Sequence, residues 1–322
     1  MPNATDLSVD SIIRRAILDC IASNRKPEQA SGNQGSSATT SWSKPDQSGA
    51  QWPTANHLEP EAVFASPAAE AIKEEILRAG RKLWQRAYVD GNGGNISARI
   101  SEEYVICTPT LCSKGDMLAE DLSLVDMNNC QICGDRPQTS EILLHLEIFK
   151  AVPSARAVIH CHPPYATAHA LAGIVPRGNL VPEQEVFVGP VALAPYETPG
   201  TMAFARTILP FVRDHNTILL TNHGVVCWAD TVTHAEWYVE VVENYCKTLL
   251  IASQLGAPIS EIPANKIGGL LAMKEKLGLP DPRLTNNSAT LPSQPQPRHG
   301  KEVDELIASI TSQVRAFLKV TP

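Results

Sequence analysis

Two histidines separated by one residue close an apolar run that begins at residue 157 and ends in two prolines. Val158 and Ile159 are β-branched, which favours a strand. Side chains along a strand alternate between its faces, so His160 and His162 face one side and Cys161 faces the other. Two adjacent imidazoles at a strand end could supply half of a Zn²⁺ site. The plainer alternative is two ordinary histidines that meet solvent or backbone partners.

A third ligand and a proton carrier are present elsewhere in the chain. His223 follows another apolar stretch and precedes Gly224, which permits close backbone approach. Three histidines with an open fourth position are typical of a catalytic zinc site. Glu141 lies at the start of a predicted helix, where the helix dipole favours its carboxylate form, and a carboxylate beside a metal can move a proton. The alternative for Glu141 is a plain charge at a helix N-terminus.

Hydroxyl, amide and glycine-rich segments could bind a phosphate, which is recognised by backbone N–H groups and polar side chains at turns and helix starts. The candidates are Asn95, which follows Gly93 and Gly94, together with Thr110 and the pair Thr139 and Ser140. Glycine–asparagine turns and serine caps are also common structural devices, so each of these signals is weak when taken alone.

Helices and strands alternate with short connections, which predicts one α/β domain. Helices are expected at 68–88, 140–151, 165–172, 202–214, 233–255 and around 270–277. Strands are expected near 95–99 and at 104–108, 123–126, 157–162 and 183–195. A last strand is expected at 217–221 and continues through 225–228.

The chain divides by composition into six segments. Amphipathic helices are predicted at 1–22 and 301–322, and linkers poor in apolar residues at 23–65 and 288–300. Between them we expect the α/β domain at 66–258 and a partly helical extension at 259–287.

Composition narrows the classes of function. The net charge of −7 argues against general affinity for nucleic acid. The eight cysteines are scattered, which is typical of a reduced, intracellular protein rather than a disulfide framework. The pair Cys130 and Cys133, without a second such pair, is more typical of a surface turn than of a zinc knuckle. The first residues lack the pattern of a secretory signal, and no run of about 18 apolar residues exists, so we expect a cytoplasmic protein without a membrane span.

Five motifs occur in the order found in the class II aldolase/adducin family, which the chain resembles over residues 66–258. Its members include L-fuculose-phosphate aldolase and L-ribulose-phosphate 4-epimerase. The motifs are Gly93-Gly-Asn-Ile-Ser97, Thr108-Pro-Thr110, Thr139-Ser-Glu141, His160-Cys-His162 and Asn222-His-Gly224.

The resemblance implies a three-layer α/β/α fold with a mainly antiparallel central sheet, usually in a homotetramer with sites between subunits. It implies that the three histidines hold Zn²⁺ and that Glu141 is the acid/base. The phosphate of the substrate would then be bound by Asn95, Thr110, Thr139 and Ser140.

Departures from the family pattern bear on the reaction. Leu111 stands where the family's phosphate loop usually has glycine, and Glu183 and Glu185 occupy the neighbourhood of the aldolase tyrosine. Glu141 favours an aldolase over the epimerase, which has Asp there, and a methylthioribulose-phosphate dehydratase shares the Glu.

The expected reaction is cleavage of L-fuculose 1-phosphate or L-rhamnulose 1-phosphate into dihydroxyacetone phosphate and lactaldehyde. The competing class is a non-catalytic, adducin-like scaffold, but such scaffolds lack the metal histidines. The terminal helices on linkers, with the stretch 274–283, resemble those of aldolases packaged in bacterial microcompartments of fucose and rhamnose degradation. Shell proteins are therefore candidate partners.

Overall fold

The computed structural model describes residues 59–285. The predicted helices at 1–22 and 301–322, the linker at 288–300 and most of the linker at 23–65 lie outside the described residues. The end of that first linker is helical instead. Helix α1 spans Pro60–Phe64, because Pro60 is accommodated in the first helical turn and Val63 is buried.

A mixed sheet of eight strands forms the centre of the described region. The strands are β1 Asn95–Arg99, β2 Tyr104–Cys107, β3 Ser123–Asp126, β4 Gln131–Cys133, β5 Ala157–Cys161, β6 Ala192–Ala194, β7 Thr217–Leu220 and β8 Gly224–Ala229. Their order in the sheet is β4-β3-β2-β1-β5-β8-β7-β6. All neighbouring strands are antiparallel except β6 and β7, which are parallel. The expectation of a mainly antiparallel sheet is therefore confirmed.

Helices cover both faces of this sheet. The helices that follow α1 are α2 Pro67–Gln85, α3 Ile142–Ala151, α4 Pro164–Ala172, α5 Met202–Arg206, α6 Val232–Gln254, α7 Ala264–Lys276 and α8 Pro282–Thr285. On one face, α3 and α5 bury apolar side chains against a cluster that includes Val158 and Val226. On the other face, α6 packs on β5 and β8, with α2 and α4 beside it. Alternation along β5 sends Ile159 to this second face.

Three expected elements differ from the observed ones. The strand expected to run through 217–228 is two antiparallel strands, because Asn222 adopts a left-handed φ of 58° and turns the chain back. The helix expected at 202–214 ends at Arg206 and continues as turns. Most of the strand expected at 183–195 is a π-helical turn, Gln184–Val188, and only Ala192–Ala194 is a strand.

A buried ion cluster ties the extension to this π-helical turn. The Arg283 guanidinium donates to Asp281 through Nε at 2.8 Å and Nη2 at 2.7 Å, and to Glu185 through Nη1 at 2.7 Å. Lys274 lies 3.3 Å from Asp281. The alternating valines at 186 and 188 suggested a strand, but the pairing of Glu185 with a residue 98 positions later favours the turn.

Among residues 59–285, no helix combines the length and the apolar composition that crossing a bilayer requires.

Candidate metal and acid/base site

The strand pairing places the candidate ligands at one end of the sheet. His160 lies opposite Asn95 of β1 and opposite Val226 of β8. His162 follows the end of β5, and His223 lies in the tight turn between β7 and β8. A Cβ on Gly224 would lie 2.4 Å from the carbonyl oxygen of Cys161 and 2.7 Å from Cδ2 of His162. Glycine is therefore what lets these two chain segments approach each other.

The three imidazoles converge on one point. The ligand atoms of His160, His162 and His223 all lie within 4.8 Å of one another, and Nε2 of His160 is 3.0 Å from Nε2 of His162. Nitrogens in one tetrahedral zinc shell are about 3.3 Å apart, given Zn–N bonds of about 2.0–2.1 Å. The cluster therefore has the size and the donor type of a three-histidine metal site.

Hydrogen bonding and burial prepare His160 as a ligand. Its Nδ1 donates to the carbonyl of Val225 at 2.9 Å, which leaves a lone pair on Nε2. Burial holds the pKa of His160 well below its usual value and lowers the pKa of His162. The pKa of His223 falls to about 4, also mainly through burial. All three rings are thus neutral near pH 7, and a neutral imidazole has one nitrogen lone pair with which it can bind a cation.

Glu141 lies against this cluster. It is the residue before the first turn of α3, and its carboxylate is 3.4 Å from Nε2 of His160 and 3.5 Å from Nε2 of His223. Burial raises its pKa, and a hydrogen bond from Asn95 acts in the opposite direction. Both neighbouring rings are neutral, so these contacts are not ion pairs. The position suits a group that exchanges a proton with a substrate held at the three nitrogens.

Two polar residues behind Glu141, Ser97 and His145, were not predicted as site residues from the sequence. Nδ2 of Asn95 donates to Oε2 of Glu141 at 2.8 Å, and Oδ1 of Asn95 lies 2.5 Å from Nε2 of His145. Nδ1 of His145 lies 2.7 Å from Oγ of Ser97. The available signal was spacing, since His145 follows Glu141 by four residues and so shares its face of α3.

Two loops bring three of the four predicted phosphate contacts together. The N–H of Thr110 donates to the carbonyl of Pro137, and the N–H of Thr139 donates to the carbonyl of Thr108, both at 3.0 Å. Thr110, Thr139 and Ser140 therefore lie along neighbouring segments beside the start of α3. Asn95 differs from them, because both ends of its amide are engaged by Glu141 and His145.

Leu111, which stands where the family pattern has glycine, adopts a backbone conformation that glycine adopts readily. Its φ is 52°, in the left-handed region, and its side chain is 77% exposed. A left-handed conformation costs a non-glycine residue about 1–2 kcal/mol. The loop is therefore held in this shape by its surroundings and not by the preference of the residue.

A lysine that the sequence reasoning overlooked supports the same loop. Nζ of Lys114 is buried and donates to the carbonyls of Cys112 at 2.7 Å and Asn92 at 3.2 Å. These bonds hold the 110–115 loop against the glycine-rich turn that precedes β1. Burial lowers the pKa of Lys114, and its charge contributes to the lowered pKa of His162.

Comparison with known proteins agrees with this geometry. The chain is 34% identical to the L-fuculose phosphate aldolase of Methanococcus maripaludis over 56% of this chain and 97% of that protein. It is 32% identical to the 3-oxo-tetronate 4-phosphate decarboxylase of Haemophilus influenzae over 55% of this chain and 86% of that one. A solved structure of an L-fuculose 1-phosphate aldolase matches with a TM-score of 0.60 and 26% identity, over 68% of this chain and all of that one.

The family model described as "Class II Aldolase and Adducin N-terminal domain" matches residues 74–250, more than half of the chain. The matched residues include all five motifs, from the glycine-rich turn before β1 to the β7–β8 turn. The chain therefore belongs to the class II aldolase and adducin N-terminal domain family.

Proposed function

We propose that this chain is a zinc-dependent carbon–carbon lyase that cleaves L-fuculose 1-phosphate or L-rhamnulose 1-phosphate into dihydroxyacetone phosphate and lactaldehyde. The observation that carries the proposal is the Glu141 carboxylate within 3.5 Å of Nε2 of both His160 and His223. Scaffold members of the family would need neither the histidine cluster nor a buried carboxylate beside it. The similarity to an L-fuculose phosphate aldolase supports the choice of substrate class.

The three histidines suit zinc, because neutral imidazole nitrogens are borderline-soft ligands that zinc accepts in tetrahedral sites. When bound there, the metal would supply Lewis acidity that polarises the carbonyl of the ketose. The donation from His160 to Val225 supports this role, since such a second bond fixes the ring and its tautomer.

The residues of the chain would carry out the remaining steps. Breaking the C3–C4 bond of the ketose leaves its electron pair on C3 as an enediolate, and the hydroxyl on C4 gives its proton to the ionised Glu141 carboxylate as it becomes an aldehyde. Glu141 then delivers a proton to C3, which completes dihydroxyacetone phosphate. Its raised pKa makes Glu141 a better donor for this step than an exposed carboxyl group.

Binding of the phosphate would fall to Thr110, Thr139 and Ser140, whose segments adjoin at the start of α3. The N-terminus of this ten-residue helix favours an anion through its dipole.

A second candidate is decarboxylation of a 3-oxo acid phosphate such as 3-oxo-tetronate 4-phosphate. In that reaction the bond to the carboxylate breaks, the electron pair again forms an enediolate, and one proton donor suffices. Retro-aldol cleavage needs in addition a base for the hydroxyl of the leaving fragment, so Glu141 would have to accept one proton before it donates one. Glu185 lies in the region where the family resemblance places a tyrosine, but it is buried and paired with Arg283. This observation and the decarboxylase relatives favour the second candidate.

A substrate panel tests both reactions. Purified protein loaded with zinc is incubated with L-fuculose 1-phosphate, L-rhamnulose 1-phosphate, L-ribulose 5-phosphate, methylthioribulose 1-phosphate and 3-oxo-tetronate 4-phosphate. Dihydroxyacetone phosphate from the first two supports the aldolase, and carbon dioxide from the last supports the decarboxylase. Epimerisation of ribulose 5-phosphate or dehydration of methylthioribulose phosphate alone would overturn both proposed reactions. No turnover of any substrate in the panel would favour the non-catalytic scaffold.

We also propose that the protein is a homotetramer and that the terminal segments 1–22 and 301–322 bind microcompartment shell proteins. The support is their amphipathic pattern and their separation from the domain by linkers. Deleting 1–22 and 301–319 together is expected to leave activity and oligomer mass unchanged and to abolish co-purification with shells. Full co-purification of the double deletion would refute shell binding, and loss of the tetramer would assign the segments to subunit packing.

A further inference from the structure

Four polar side chains form a continuous hydrogen-bonded chain behind the candidate acid/base residue. It runs from Ser97 to His145 at 2.7 Å, from His145 to Asn95 at 2.5 Å, and from Asn95 to Glu141 at 2.8 Å. Asn95 and Ser97 point to the same face of β1, because they are two residues apart. Helix α3 lies over that face and supplies the other two members.

The chemistry of each partner allows one arrangement of protons. An ionised carboxylate only accepts, so Asn95 must present its NH₂ group to Glu141. Its carbonyl oxygen then faces His145 and must accept a hydrogen bond from Nε2–H. The neutral ring therefore carries its lone pair on Nδ1, which accepts from the hydroxyl of Ser97. Each group in this chain uses the donor or acceptor that its neighbour requires.

Burial makes the arrangement rigid. His145 and Ser97 are fully buried and Asn95 is 4% exposed, so water cannot replace a lost partner. An unpaired polar group at such a depth is costly, which disfavours rotation of the Asn95 amide. Burial also lowers the pKa of His145 to about 3, so the ring is neutral near pH 7.

We propose that His145, in the Nε2–H tautomer fixed by Ser97, is a positioning residue that locks Asn95 as a hydrogen-bond donor to Glu141. Asn95 then holds the acid/base carboxylate through one N–H of its amide, and its second N–H is compatible with the expected phosphate contact. The proposal rests on the proposed function for the role of Glu141, but the tautomer and the hydrogen bonds do not depend on the substrate.

A kinetic comparison separates this role from simple structural support. His145→Leu removes the donor and keeps an apolar side chain of similar size, whereas His145→Gln retains an N–H donor. With whichever of L-fuculose 1-phosphate and 3-oxo-tetronate 4-phosphate is turned over, we expect His145→Leu to lower kcat by about 10- to 100-fold. KM and zinc content should change less than about 3-fold, and His145→Gln should recover most of kcat. Equal losses in both variants would overturn the proposal.

The kinetics of an Asn95 variant provide a second test. Asn95→Ala should lower kcat by a similar factor with little change in KM. A KM increase of about tenfold or more with kcat preserved would show that Asn95 acts on substrate binding alone and would refute the inference. His169→Leu, on the opposite side of the sheet in α4, serves as the matched control and should keep wild-type kcat and KM.

A spectroscopic test needs no turnover. In a long-range ¹H–¹⁵N spectrum of zinc-loaded protein labelled at histidine, the signals lost in His145→Gln identify His145. The expected pattern is a neutral Nε2–H ring from pH 5 to pH 9. An Nδ1–H tautomer or a charged ring would overturn the proposal. If the protein shows this pattern but turns over no substrate of the panel, the hydrogen-bonded chain is supported and only the proposed function is rejected.

Discussion

Adding one methyl group at Gly224 is expected to disrupt the candidate metal site without touching a ligand. The new Cβ of Gly224→Ala would lie 2.4 Å from the Cys161 carbonyl oxygen and 2.7 Å from His162 Cδ2. The first distance is about 1 Å short of the ~3.5 Å at which such atoms make favourable contact. The β5 end and the β8 start must therefore separate, or the His162 ring must rotate. Ligand geometry tolerates displacements of only about 0.5 Å.

The expected cost follows from that displacement. Overpacking in a buried site costs about 1–3 kcal/mol, which for a domain of this size corresponds to a fall in Tm of about 2–12 °C. Zinc affinity should fall by about 10- to 100-fold, as it does when groups that orient ligands are lost. Competition with a fluorescent chelator and thermal unfolding monitored by circular dichroism measure the two effects.

The matched control is Gly268→Ala, because a Cβ there meets nothing within 4 Å. Gly268 lies inside α7, so this variant should be neutral or more stable by up to about 1 kcal/mol. Zinc affinity within twofold of wild type in Gly224→Ala, together with an unchanged Tm, would refute the reasoning about close approach.

Three further predictions concern the ligands, the acid/base residue and the ion cluster. Alanine at any one ligand should abolish stoichiometric zinc, measured by mass spectrometry, because two nitrogens cannot replace three; full zinc in a variant would exclude that residue. The variants are His160→Ala, His162→Ala and His223→Ala. Glu141→Gln should keep zinc and lower kcat by about 10²-fold or more, and wild-type kcat would remove it from the mechanism. Arg283→Met leaves Glu185 and Asp281 buried without their main partner, so unfolding free energy should fall by about 3–5 kcal/mol in urea titrations, and a loss below ~1 kcal/mol would contradict this.

Much of the candidate site follows from local sequence. The alternation of a strand explains why His160 and His162 face one side, and the start of α3 explains the placement of Glu141. The pairing of β1 with β5 does not follow from local pattern. That register puts Asn95 beside His160, and the role of His145 depends on it because His145 acts through Asn95.

A long-range contact in one case and a single backbone angle in another account for elements that the sequence pattern predicted wrongly. The valines of the π-helical turn alternate as they would in a strand, but Arg283 binds Glu185 across 98 residues of chain. The β7–β8 hairpin depends on a single left-handed residue, Asn222, inside an otherwise continuous apolar stretch. In both cases a tertiary contact or one backbone angle outweighs the average preference of the segment.

The ion cluster of the extension also determines where the chain can be cut. The family match ends at residue 250, yet Lys274, Asp281 and Arg283 supply the charges that face the π-helical turn. A fragment that ended at residue 250 would lack Arg283 and would leave the buried Glu185 carboxylate without that cationic partner. Expression fragments, fusion junctions and domain grafts taken from this protein should therefore retain the chain through residue 285, even where no catalytic group lies beyond the end of α6.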